Sequence, residues 1–188
     1  MTDAKYKTNT ESVAALVART TEDLVELYKS LDAPDPAEMY GEFSGHLPAT
    51  REDAWRAFMR ERGAQPWLGK AYRPEECNGH VGHGYNRYQG PDGVIIRMNR
   101  FVWDIEPSIV DGRDTLVMHY SAFDDWGGAN DLIDEVRVVA PGVYLGIYHT
   151  AAPVPGFTPG EPQADGRSAI SAFILAATDM PWVGPDAA

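Results

Sequence analysis

Between residues 93 and 150, ionisable side chains recur inside otherwise apolar runs: Arg97, Asp104, Glu106, His119, Asp134, Arg137 and His149. A strand that only fills a core carries Val or Leu at such positions. Groups that can exchange protons or hold charge there point to a pocket with chemistry. His119, Asp134, Arg137 and His149, with Tyr120, Tyr144 and Tyr148, form one constellation; buried in a shared cavity, an Asp or His acquires a shifted pKa suited to proton transfer. Side-chain alternation limits it. His119 and Tyr120 cannot face the same side, and Asp134 and Arg137, three apart, point oppositely on an unbulged strand. An ion pair across the sheet accounts for Asp134 or Arg137 at least as well. On the longest run, Arg97 shares a parity with Trp103 and Asp104 with Glu106.

A second constellation is Cys77-x-x-His80-x-x-His83, with Glu75, Glu76 and Asn78 close by. Thiolate, imidazole and carboxylate are ligand types for zinc or iron. A Gly-rich loop lacks the helical spacing that fixes a His pair, so Cys77, His80 and His83 are a weak metal candidate, and the alternative is a loop at a pocket mouth. The near-neutral pKa of imidazole keeps His83 eligible as a general base. Trp55, Trp67, Trp103, Trp126 and Trp182 are scattered and suit core or pocket lining, which favours an aromatic or apolar ligand.

Missing features narrow the class. There is no phosphate-cradling loop, no dinucleotide fingerprint and no Gly-x-Ser-x-Gly elbow, so nucleotide-dependent and triad chemistry are not expected, nor is a cofactor. A formal net charge of -12 disfavours nucleic acid and anionic membrane as partners. The single cysteine, a polar start and the lack of any run near the roughly 20 apolar residues of a membrane span point to a cytoplasmic chain.

The elements that must position these groups follow from periodicity and turn chemistry. At 188 residues with 44% hydrophobic content, the chain fits one domain (1–188), with a flexible N-terminus over 1–10 and a Pro/Gly-rich surface connector over 151–167. Apolar residues from Val13 to Leu31 recur at helical spacing and predict one helix over 11–31. A first strand is expected within 39–47, and a short helix from Thr50 with Ala54, Trp55, Phe58 and Met59, stopping at Gly63. Short strands follow from 65. Gly90-Pro91-Asp92-Gly93 predicts a hairpin turn into a strand over 94–106, and Ala140-Pro141-Gly142 joins strands 132–139 and 143–150. Residues 168–178 read as a short helix or a last strand.

The order of local patterns carries a resemblance. Leu31-Asp32-Ala33-Pro34 ends the helix; Gly41-Glu42-Phe43-Ser44-Gly45, Trp67-Leu68-Gly69-Lys70-Ala71-Tyr72, Val117-Met118-His119-Tyr120, Asp134-Glu135-Val136-Arg137 and Leu145-Gly146 follow. Over about residues 20–150 this order resembles the bacterial GXWXG-type proteins, with Phe43 where that family's signature Trp would stand. The resemblance implies a calycin-like antiparallel barrel with an internal small-molecule cavity, as in calycin relatives that bind haem or decarboxylate phenolic acids.

The expected architecture is α+β, mainly β: N-terminal helices packed on a strongly curved antiparallel sheet, a calycin-like β-barrel, with an NTF2-like cone as the alternative. The expected function is a cofactor-independent acid–base enzyme of lyase, isomerase or cyclase type acting on a small aromatic or apolar molecule inside the barrel. The alternative is a non-enzymatic binding or carrier protein. His119 or His83 would be the base, Tyr85 or Tyr120 a donor to oxyanion charge, with Asp134 in proton transfer. Arg97 or Arg137 would anchor a substrate anion, and Trp67, Trp103 and His149 would line the ligand site. A homodimer is left open.

Overall fold

A computed structural model describes residues 12–49, 66–123, 132–150 and 170–186. The stretch predicted as one helix is two, residues 12–17 (α1) and Thr21–Lys29 (α2). Thr20 causes the break. Its backbone is extended and its hydroxyl accepts a hydrogen bond from the Asp23 amide at 3.1 Å, which satisfies a free donor at the start of α2. Leu24, Val25 and Tyr28 of α2 join Val13 and Leu16 in an apolar cluster with Val143, Leu145, Ile147, Ala172 and Ile174.

Those last five residues lie on the outside of a closed barrel of eight antiparallel strands, each paired with the next in sequence. The strands are β1 (Gly41–His46), β2 (Trp67–Arg73), β3 (Gly82–Gln89), β4 (Ile95–Pro107), β5 (Asp114–His119), β6 (Leu132–Ala140), β7 (Val143–Thr150) and β8 (Ser171–Ala177). Pairing of β1 with β8, Phe43 opposite Ala177, closes the sheet. Closure leaves no free edge and rules out the open cone. Residues 171–177, which periodicity left open between helix and strand, are therefore the closing strand. The Gly90–Gly93 turn holds Asp92 at φ 56° and delivers β3 into β4 as expected.

The inner face is aromatic. Phe43, Tyr72, Phe101, Trp103, Met118, Tyr120, Tyr144 and Phe173 belong to one buried cluster, with Trp67 and Tyr148 packed against it. Rings fit because glycines sit beneath them: a Cβ at Gly146 would lie 2.1 Å from the Phe173 ring, and one at Gly84 2.3 Å from Phe101. The expected N-terminus, the helix from Thr50 to Gly63, Trp126 and the connector over 151–167 lie outside the described residues. Among the described residues, no helix is long and apolar enough to cross a membrane.

Two irregularities redirect side chains. In β2 the register slips between Trp67 and Gly69, and Gly69, at φ 131°, passes so close to the Phe43 carbonyl that a Cβ would stand 2.1 Å from its oxygen. The extra residue lets Trp67 and Lys70, three apart, both point inward. In β4 the segment from Met98 to Phe101 faces only Asn86 to Gly84 of β3, with Asn99 at φ 55°. Arg97 and Trp103, which simple alternation puts on one face, are thereby turned to opposite faces.

Candidate functional site

Cross-strand partners share a face of a sheet, so the inner face can be followed around the barrel. Trp103, Met118, Asp134, Tyr148 and Ser171 stand opposite one another in succession from β4 to β8. Phe43, Lys70 and Asn86 do the same from β1 to β3. The buried charges on the inner face of the described strands are the Lys70 ammonium and the Asp134 carboxylate, both almost fully buried.

They meet. Lys70 Nζ lies 2.6 Å from Asp134 Oδ2 and donates to Asn86 Oδ1 at 2.8 Å and to the Tyr120 hydroxyl. The Tyr120 hydroxyl donates to Asp134 Oδ2 at 2.7 Å. Asn86 Nδ2 donates to Tyr120 Oη and to the Asn99 carbonyl, each at 3.1 Å, and the Trp67 indole N–H donates to Asn86 Oδ1 at 3.0 Å. Asn99 Nδ2 in turn donates to the Tyr88 hydroxyl at 2.9 Å. Rings of Trp67, Phe101, Tyr120 and Phe173 surround the ammonium at 5.2 to 5.7 Å from their centroids, a cation–π arrangement.

Burial sets the proton affinities. It pulls the Lys70 ammonium down from its ordinary value, against the opposing pull of Asp134. It pushes the Tyr120 phenol well up, aided by the Asp134 charge, and the Tyr88 phenol up to about 12. Both phenols therefore remain protonated donors near neutral pH. Two acceptors in this region are left over: Asp134 Oδ1 and Asn99 Oδ1 are buried without a hydrogen-bond partner among the described residues. The arrangement can hold a charge pair in a low-dielectric interior, keep a phenol protonated, and offer a carboxylate oxygen to an incoming donor.

Of the residues expected from sequence, Tyr120, Asp134 and Trp67 are brought together here. Trp103 also faces inward, as core, its indole N–H donating to the His83 carbonyl at 3.3 Å. The others lie on the outer face. Arg137 sits under α2, forked onto Asp111 through two bonds of 2.7 Å, with its guanidinium 4.4 Å from the Tyr28 ring centroid. His149 is 3.0 Å from Glu135, which also accepts from the Tyr28 hydroxyl and the Ile109 amide at 3.0 Å each. These two residues fasten the helix to the barrel rather than line its interior. His119 pairs with Glu106 at 3.1 Å on the outer wall, beside His80 and Asp104 at 2.5 Å. Asp104 thus faces outward on the same side as Glu106, as their parity predicts, and away from Tyr120 and Asp134.

His83, Tyr85 and Arg97 gather at a third outer location, beneath the C-terminal segment. Trp182 packs edge-on to His83 at 5.1 Å and on Tyr85 at 4.7 Å. The Tyr85 hydroxyl donates to Glu42, whose carboxylate also holds Arg97 at 2.8 Å and Arg87 at 2.9 Å. Cys77 and His80 are joined through their backbones, while the His80 and His83 rings go to different neighbours. Among the described residues, no group of three or more His, Cys, Asp or Glu is placed to hold a metal ion.

Lys70, Asn86 and Asn99 were not singled out by sequence reasoning. The available signal was a polar residue embedded between aromatics, as in Trp67-Leu68-Gly69-Lys70-Ala71-Tyr72 and Tyr85-Asn86-Arg87-Tyr88.

No protein-family model and no curated protein sequence matches the chain. A solved structure described as a protein from Thermomonospora curvata is similar over 91% of this chain and 97% of its own, with a TM-score of 0.59 and 18% identity. At that identity the likeness concerns the fold.

Proposed function

We propose that the barrel binds a small aromatic or apolar molecule against Lys70, Tyr120 and Asp134 and carries out cofactor-independent acid–base chemistry on it, of lyase, isomerase or cyclase type. One observation carries this reading: a buried ion pair, tied to a phenol and an amide, stands in an otherwise aromatic interior with one carboxylate oxygen uncommitted. A buried pair of this kind contributes little net stability compared with apolar side chains of similar volume. Perturbed groups gathered in a barrel interior favour function instead.

In this reading Asp134 Oδ1 takes a proton from the bound molecule. Lys70, 2.6 Å from Asp134 Oδ2, offsets the charge that passes to the substrate. As Oδ1 gains the proton, Tyr120, kept protonated and oriented by Asn86, turns its one O–H from Asp134 Oδ2 to the negative charge developing on a substrate oxygen. The order of local patterns shared with GXWXG-type proteins is compatible with such a barrel and belongs to the same proposal.

Proton transfer can be read without knowing the product. A panel of small aromatic alcohols and ketones is incubated with the protein in D2O, and loss of carbon-bound substrate proton signals is followed by NMR. The expected result is exchange above the protein-free rate for at least one member, falling by about 100-fold or more in Asp134→Asn, the scale of a general base. If members of the panel bind and none exchanges, the barrel is a carrier and the enzymatic reading is abandoned.

A further inference from the structure

The interior's charge inventory restricts what can enter. On the inner face of the described strands, the Lys70 ammonium is already committed to Asp134, Asn86 and Tyr120, which use all three of its donors. Arg97 and Arg137, the two cations that could have anchored an anion, are on the outer face with Glu42 and Asp111. A ligand carboxylate placed here would face the Asp134 charge with no uncommitted inner-face cation among the described residues to offset it. Burying an unpaired charge is far more costly than burying a neutral group.

What the interior lacks is donors. Asp134 Oδ1 and Asn99 Oδ1 are both buried acceptors without a partner among the described residues, and their residues are linked through Asn86, which donates to the Asn99 backbone carbonyl and to the Tyr120 hydroxyl that serves Asp134. Asp134 itself is only 3% exposed. An unmet buried acceptor disfavours the empty state and rewards an occupant that brings a hydrogen. The rings of Phe101, Phe173 and Trp67 around Lys70 supply the apolar remainder of the contact.

We infer that the ligand is an uncharged aromatic or apolar molecule carrying a hydroxyl, and that this hydroxyl is seated on Asp134 Oδ1, so that acids of the same size are rejected. The inference rests on the reading that the barrel interior is a ligand site and narrows its substrate class.

Three probes of one shape separate the outcomes: benzyl alcohol, benzyl methyl ether and benzoate, titrated into the full-length protein by calorimetry and ligand-observed NMR. Benzyl alcohol is expected to bind at least about tenfold tighter than the ether, which lacks the donor, and benzoate weaker still. The comparison is between ligands, so it stands even where a variant fails to fold. In Asp134→Asn the advantage of the alcohol over the ether is expected to shrink, because the acceptor loses its charge. Benzoate binding as tightly as the alcohol, or the ether matching it, overturns the inference while leaving a ligand-binding barrel intact. Binding of none of the three, nor of any member of the exchange panel, removes the ligand-site reading itself.

Discussion

Lys70 and Asp134 illustrate a choice made one residue at a time. Each charge alone in the barrel would be strongly destabilising, and together they are merely tolerable. Lys70→Met leaves Asp134 buried without its cation and is expected to cost about 3–5 kcal/mol in urea unfolding. Adding Asp134→Leu to that variant should return much of the loss, since neither charge then needs compensation. A double variant no more stable than the single one would mean that the pair is not isolated from water as described. Among the described residues, Tyr120→Phe removes the one donor other than Lys70 on Asp134 Oδ2, and a cost of about 1–3 kcal/mol is expected from the same measurement.

At the scale of elements, the outer face is used for fastening. α2 is held by Tyr28 on Thr115 and Glu135 and by Arg137 on the Tyr28 carbonyl and Asp111. Arg137 is fully buried, so Arg137→Met is expected to cost about 3 kcal/mol and to raise amide exchange selectively in α2. Unchanged protection there would separate Arg137 from helix docking. The same network has a pH signature. Burial works against the Glu135 charge, yet His149, the Ser108 hydroxyl and the Ile109 amide together hold its carboxyl below the usual range. Asp111 is held low chiefly by its hydrogen bonds to Arg137. Carboxyls with depressed folded pKa values contribute stability that is complete above their unfolded values, roughly pH 4 to 4.5, and lost as pH falls through the folded ones. Acid titration of the wild type should therefore loosen α2 first, and Glu135→Gln should flatten that part of the stability profile. An α2 that outlasts the barrel in acid would contradict this.

Elements were more legible in the sequence than faces were. Gly90-Pro91-Asp92-Gly93 and Ala140-Pro141-Gly142 announce their turns because few other residues suit those backbones, and both hairpins form where expected. The inward set was hidden by bulges. Alternation assigns Arg97 and Trp103 to one face, but the extra residue at Asn99 separates them. It separates Trp67 from Lys70, but the slip at Gly69 unites them. Nothing in local composition marks which Gly or Asn in a strand will bulge, so Lys70 escaped notice while Arg137 and His149 attracted it. Apolar spacing predicts one helix over 11–31 because it continues across Thr20, whose capping role breaks the helix in two.

For the whole molecule, barrel closure and ring packing decide how the site is held. Phe173 lies over Gly146 of β7, and its ring is also one of those around Lys70. Gly146→Ala forces the ring off its seat, so a loss of about 1–3 kcal/mol is expected, together with weaker ligand binding although no ligand-contacting group has been removed. The central claim is that a hydroxyl-bearing ligand meets Asp134 inside the barrel, away from the outer cluster of His83, Tyr85 and Trp182. A crystal structure of the protein soaked with benzyl alcohol tests it most directly. The expected density is a ring among Phe101, Phe173 and Trp67, with its oxygen at hydrogen-bond distance, about 2.7 Å, from Asp134 Oδ1; an alcohol bound only beside Trp182, with the interior unchanged, would contradict it.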